Sequence, residues 1–258
     1  DLRGTCFLSK EKPQDGILLP SFDDIIKSKV KYAESCKVQY EEQDSTSGRR
    51  LIEYYPEEKL YLVQNPPQAP LDRKELDEVY ALPFERTYHP SYEKLGGVKA
   101  IEEVEFSVTH NRGCFGNCNF CALTFHQGKM VTSRSIESVV NEVEKLTKKP
   151  NFKGYIHDVG GPTANFRGSF CENQKKGFCK NKRCLSPEIC KNAKVDHTEY
   201  LKLLEAAEAV KGVKKVFVRS GIRYDYLYAD KDKSFINKLI KDNRSEERRV
   251  GKECRSRW

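Results

Sequence analysis

Seven of the chain's ten cysteines fall between positions 114 and 190, in two close groups. The first is Cys114-Phe-Gly-Asn-Cys118-Asn-Phe-Cys121, a CxxxCxxC loop. Three thiolates on so short a loop can each take a different iron of a cubane, because the loop wraps around it, and the fourth iron then has no protein ligand. The spacing therefore points to a [4Fe–4S] cluster with one iron left open as a substrate site. Gly113 and Gly116 suit such a wrap, since glycine adopts positive φ and lets backbone amides approach the cluster sulfides. A zinc site made from the same cysteines plus His110 or His126 is the simpler alternative. Zinc ligands usually arrive as two separated pairs, which a 3-then-2 spacing does not provide, so both histidines are read as structural.

The second group, Cys171, Cys179, Cys184 and Cys190, lies in a polar insert, residues 165–194, that carries eight Lys/Arg against two Glu. Such a segment cannot build a core of its own, so a bound metal would supply its folding energy. Zn²⁺ in a four-cysteine site and an auxiliary iron–sulfur cluster both suit the spacing; disulfides or unligated thiols are the alternative. Phe166, Phe170 and Phe178 interleave with the basic residues and would either stack bases of an RNA partner or pack the insert's own small core, the reading preferred here. The rival function is thus a metal-stabilised, zinc-dependent nucleic-acid-binding module without catalysis. Cys6, Cys36 and Cys254 stand alone and are read as structural or incidental thiols.

The elements that must position these groups change character along the chain. Ser21 to Ser35 has a Ser cap and apolar residues at helical spacing, and Arg50 to Val63 alternates like two short strands. Asn65-Pro-Pro-Gln-Ala-Pro70 can continue neither, and Leu76 to Ala81 is at most a turn or two of helix before Pro83 and Pro90. From Ala100 strand and helix alternate: a strand at Val104 to Thr109 runs into the cysteine loop, a helix follows from Ser135 to Lys148, a strand at Tyr155 to Val159, a helix at Asp196 to Lys211, a strand at Lys215 to Arg219 and a helix from Ser234. Three strand-helix units imply an α/β fold with a parallel sheet, and hence a partial (βα) barrel preceded by the end of an N-terminal α/β domain. The expected organisation is 1–95, the end of that domain with its Pro-rich linker; 96–243, a partial barrel core bearing the insert 165–194; and 244–258, a tail.

The net charge is +8, but the insert and the tail, where six Lys/Arg face three Glu, leave −1 on everything else. A phosphate-binding footprint would be confined to those two segments. Arg244 to Trp258 (RSEERRVGKECRSRW) is almost all charge where a fourth strand should begin, and it is read as a non-native tail on a chain truncated at both ends. With an open sheet edge, the fragment is expected to be poorly stable and inactive by itself. No run of about 18 to 20 apolar residues occurs, so no membrane insertion is expected. Thiolate-ligated clusters survive in reducing compartments, and cytoplasm is the expected location.

The cysteine loop, with the aromatic Phe120 before its third Cys, resembles the defining motif of the radical S-adenosylmethionine (SAM) superfamily. Ser107-Val-Thr-His-Asn-Arg-Gly-Cys114, Cys121-Ala-Leu-Thr-Phe-His-Gln-Gly-Lys129, Asp158-Val-Gly-Gly-Pro-Thr-Ala-Asn165 and Ser220-Gly-Ile-Arg-Tyr-Asp225 resemble more narrowly its YgiQ-type members. The resemblance implies that SAM chelates the open iron of a cluster held by Cys114, Cys118 and Cys121. An electron donor then drives cleavage to methionine and a 5′-deoxyadenosyl radical, which attacks a substrate the resemblance does not name. It also implies that Phe120 and the backbone of Gly160, Gly161 and Pro162 meet SAM, with Pro162 standing where the superfamily commonly has Glu. Ser220 and Arg223 follow the third strand on the face where parallel barrels keep their active sites and are candidates for SAM or substrate contact; Arg223 is equally read as a surface ion pair. The three cysteines are expected to face Gly160 to Pro162 across a cleft, with Ser220 on the same rim.

Overall fold

The computed structural model describes residues 2–242, so Asn243, the charged tail and Cys254 lie outside the described residues. In chain order the elements are β1 (Cys6–Ser9), β2 (Ile17–Leu18), α1 (Phe22–Lys27), α2 (Lys29–Glu42), β3 (Leu51–Tyr55), β4 (Leu60–Gln64), α3 (Arg73–Ala81), α4 (Ile101–Val104), β5 (Ser107–Thr109), β6 (Asn111–Arg112), α5 (Leu123–Gln127), β7 (Thr132–Ser133), α6 (Ile136–Thr147), β8 (Tyr155–Ile156), β9 (Asp158–Gly160), α7 (Thr198–Glu208), β10 (Lys215–Val216), α8 (Tyr224–Ala229) and α9 (Ser234–Asp242). Short 3-10 turns occupy Pro90–Leu95 and Glu172–Lys176. The chain forms two compact units: one holds the residues up to Pro70 with Gly113–Met130 and Cys171–Asn192, the other Leu71–Arg112, Val131–Phe170 and the chain from Ala193.

The first unit is built on a sheet of order β1-β4-β3-β2, antiparallel except for the parallel β2–β3 pair. Leu51, Ile52 and Val63 are buried in it, and Ile52 is paired with Val63. Where a single helix from Ser21 to Ser35 is expected, two form. Ser21 and Asp24 make a reciprocal capping box that starts α1, and Ser28 ends it by donating its N–H to the Asp24 carbonyl. The Ser28 hydroxyl then accepts from Lys31 N and starts α2. Serine competes for backbone groups in this way, so it divides a helix that apolar spacing alone would run through.

In the second unit β5 pairs in parallel with β9, in the register Ser107 with Asp158 and Thr109 with Gly160. The parallel β8–β10 pair extends it: Phe217 N donates to Ile156 O (3.0 Å) and Val159 N to Phe217 O (3.1 Å). Three parallel segments therefore lie side by side, and no closed barrel is present among the described residues. This is a mixed α/β fold. The first strand starts later than expected, because Ile101–Val104 is a turn of helix. Val108, Ile156, Val159, Val216 and Val218 of the sheet meet Val139, Val143 and Leu146 of α6 and Leu203, Leu204 and Ala207 of α7 in one core. Each such Val or Leu contributes about 1.5–3 kcal/mol by its burial. Ser135 caps α6 by accepting from Ser138 N.

Helix α3 belongs to this unit as well, with Asp77 Oδ1 accepting from Ser135 N at 3.0 Å. Beneath it Arg134, 1% exposed, is ion-paired to Glu142, donates to Thr109 O (2.9 Å) and lies 4.1 Å from the Tyr80 ring centre. The chain first passes from one unit to the other at Pro70–Leu71, at the end of the Pro-rich connector. No helix among the described residues is long and apolar enough to cross a membrane.

Candidate functional site

The cysteine loop leaves β6 and closes on itself within the first unit, where Cys114 N donates to Gly128 O at 2.9 Å. Thr124 Oγ1 donates to Cys114 O (3.1 Å) and Cys121 N to Cys118 O (3.2 Å), so α5 forms the return arm of the loop. The left-handed residues that shape the wrap are Gly113 (φ 82°) and Asn117 (φ 57°), one position beyond the expected Gly116. Asparagine tolerates that conformation better than other side chains. Cys114 and Phe115 are buried, Cys118 and Cys121 are half-buried, and Phe120 is 83% exposed. Phe125 anchors the return arm by packing edge-on against Tyr40, with ring centres 5.7 Å apart.

The loop ends at Lys129, which is 6% exposed and donates to Tyr40 O at 2.9 Å with its ammonium 4.3 Å from the Tyr40 ring centre. Burial pulls its pKa down, while Asp44 and Cys184 act in the opposite sense. Cys184 itself is pushed up to about 11 by burial and then by Cys190, Cys179 and Cys171. The second cysteine group therefore shares the first unit with the first.

The Gly-Gly segment and the residues after the third strand lie in the second unit. A Cβ at Gly160 would fall 2.1 Å from Ser220 Oγ and 2.3 Å from Asp158 Oδ2, and one at Gly161 would fall 1.7 Å from Asn111 Oδ1. Close packing of this loop on its neighbours thus requires both glycines. Asn111 Oδ1 is buried without a hydrogen-bond partner among the described residues, while its Nδ2 donates to Phe166 O at 2.8 Å. Ser220 hydrogen-bonds through its hydroxyl to Asp158, whose other oxygen accepts from Arg219 N (2.8 Å) and Ser220 N (3.2 Å). Burial pushes the Asp158 carboxyl up, and these bonds oppose the shift. Arg223 forms an ion pair with Asp225, Nε to Oδ1 at 2.9 Å.

A buried chain of polar groups, not singled out from the sequence, fixes the same loops. Asn165 Oδ1 accepts from Arg223 N (2.9 Å), its Nδ2 lies 3.1 Å from His197 Nε2, and His197 Nδ1 lies 2.7 Å from Asp230 Oδ2. Burial pulls the His197 pKa down despite Asp230, and neutral His197 donates from Nδ1 and accepts at Nε2. Asn165 lies within one of the family-like segments, the one signal of it in the sequence. His110 is likewise engaged at both nitrogens: Nε2 donates to Ala164 O (2.9 Å) and Nδ1 accepts from Arg167 (3.3 Å). Burial and the Arg167 charge hold its pKa at about 3. Phe166 and Phe170 are buried against Tyr226, with ring centres 5.3 and 6.0 Å away, and offer no face for a base.

Among the described residues no three His, Cys, Asp or Glu side chains are gathered as a bound metal ion requires. The nine described cysteines form no disulfide. The donor set nonetheless suits an iron–sulfur cluster: three thiols within eight residues, on a loop tied at its base and turned by two left-handed residues. Thiols have no mutual attraction before a metal arrives, and the free energy of binding completes the geometry.

A CxxxCxxC loop carried by a mixed α/β fold is thus the candidate site, and residues 1–107, N-terminal to it, match the model described as Radical SAM N-terminal. The match runs through the whole N-terminal sheet and α3 and ends on β5. More particularly, the chain is similar to proteins described as UPF0313 proteins. It is 54% identical to one from Clostridium perfringens (strain SM101 / Type A) over 254 residues, which are 97% of this chain and 38% of that protein. To one from Clostridium botulinum (strain Okra / Type B1) it is 52% identical over 256 residues, 98% of this chain and 40% of that one. The chain thus spans about two fifths of the length of these curated relatives.

Proposed function

We propose that this chain serves a radical SAM enzyme of the YgiQ type, with Cys114, Cys118 and Cys121 ligating three irons of a [4Fe–4S] cluster. The observation that carries this reading is the cysteine loop itself, which follows β6 just beyond the parallel strand β5 and is joined to a sequence that matches the radical SAM N-terminal model. When bound, the cluster and SAM supply a reductive cleavage to methionine and a 5′-deoxyadenosyl radical, with the electron coming from an external donor. The protein's part is to hold and shield. Cys114, already buried, seats one corner; Cys118 and Cys121 are accessible to the other two irons. The backbone of Gly160 to Pro162 is the candidate contact for the SAM amino group, and the Asp158–Ser220 bond fixes that strand end from the adjacent segment. Ser220 then acts by holding Asp158, and the ion pair with Asp225 makes Arg223 a loop-fixing residue in the first place.

Anaerobic reconstitution of the chain with iron and sulfide tests the assignment. The expected result is about four irons per chain with thiolate-to-iron absorption, lost when Cys114, Cys118 and Cys121 are together replaced by Ala. Iron uptake unaffected by that triple replacement would overturn it.

A further inference from the structure

From Gly177 to His197 the chain forms neither helix nor strand, and four of residues 171–190 are cysteines. The segment is nevertheless held in a defined place. Phe178 N donates to Asp44 Oδ2 (2.8 Å) and Lys180 Nζ to Glu42 Oε1 (2.7 Å), and both acceptors are buried in the first unit. Gly177 (φ 105°) passes so close to the Asp44 turn that a Cβ there would lie 2.7 Å from Asp44 Oδ2. Within the insert, Cys184 lies in electrostatic range of Cys171, Cys179 and Cys190. Cys190 N donates to Cys184 O at 2.9 Å, a backbone bond that closes the loop between these two residues. Two cations attend the group: buried Lys129 acts on Cys184, and Lys182 hydrogen-bonds Cys190. Four soft donors lie near one another in a segment with too little apolar surface to hold itself, beside two ammonium groups.

We propose that Cys171, Cys179, Cys184 and Cys190 bind one Zn²⁺ as a tetrahedral four-thiolate centre, with Lys129 and Lys182 offsetting its two surplus negative charges. On binding, four S–H bonds break, four Zn–S bonds form and four protons pass to solvent; no electron moves. The ion draws together thiols that stand near one another without yet being at ligating separation. A single ion suits two cysteines whose backbones are hydrogen-bonded to one another, since zinc needs its sulfurs only about 3.8 Å apart. Because Lys129 ends the CxxxCxxC loop, the zinc centre braces the arm on which that loop returns. The site goes beyond the radical SAM reading and does not depend on it.

Metal analysis of the intact chain after dialysis decides the matter, with the Co²⁺-exchanged protein read by its visible spectrum. The expected result is about one zinc per chain and a tetrahedral thiolate spectrum with Co²⁺. Zinc should be lost in Cys179→Ser/Cys184→Ser and kept in Cys114→Ser/Cys118→Ser/Cys121→Ser, an arm that separates this site from the cluster. Lys129→Met should weaken zinc retention about 10- to 100-fold, with recovery in Lys129→Arg. An intact chain without zinc, iron in place of zinc at these cysteines, or zinc that follows the first three cysteines instead would each overturn the proposal. Should the double variant fail to fold, the intact chain and the triple variant still decide it.

Discussion

His110 illustrates how much of a side chain's role is set by what surrounds it. Its sequence position beside the cysteine loop admits it as a metal ligand, but both ring nitrogens are engaged and it is fully buried. Its pKa of about 3 lies below the ordinary 6.5, so between these values the unfolded chain binds a proton that the folded chain does not. Stability therefore rises with pH across that window and is lost as pH falls through it. His197 is shifted in the same direction. From pH 6.5 to about 5, above the ordinary carboxylate range, the unfolding free energy should fall on acidification, with a slope approaching about 1.4 kcal/mol per pH unit from His110 and a further contribution of the same sign from His197. Denaturant midpoints measured across that interval check this, and a flat profile would contradict it. Single residues were also the hardest part of the site to read. Ser220 and Arg223 are legible as residues that follow a strand, yet Ser220 is bound to Asp158, 62 positions away, and no local pattern encodes that partner. The Asn165–His197–Asp230 chain was invisible for the same reason.

Among the elements, the insert is held to the first unit through buried acceptors, Asp44 and Glu42. Asp44 receives Phe178 N from the insert and, within its own turn, Thr46 N (2.9 Å) and the Ser47 hydroxyl (2.7 Å). Asp44→Ala should cost about 1–3 kcal/mol through these unmatched donors and speed hydrogen exchange at Phe178. Unchanged exchange at that amide would show that the insert is held elsewhere. The regular elements were largely legible: α6 and α7 follow from a 3.6-residue apolar period, and β3 and β4 from alternation. What the sequence reading missed has physical causes. Strands β1 and β2 are short and mostly exposed, so they carry little hydrophobic pattern. Helix α8 is six residues long and buries Tyr226 and Leu227, too short a run to show a period.

For the whole molecule, the clustering of cysteines was the most legible feature, and both groups prove to lie in one compact unit. That could not be read from the sequence, since the unit is assembled from three separate stretches of chain. The parallel order of the three strand segments follows from strand-helix alternation, because same-sheet crossovers through helices place strands parallel. The central claim is an iron left open for SAM, and electron paramagnetic resonance tests it most directly. The reconstituted chain is reduced anaerobically and its spectrum recorded without and with SAM. The expected result is a reduced [4Fe–4S] signal whose shape changes when SAM is added and which disappears in Cys118→Ala. A cluster signal indifferent to SAM, or an iron-free chain that stays folded with zinc on Cys114, Cys118 and Cys121, would contradict the account.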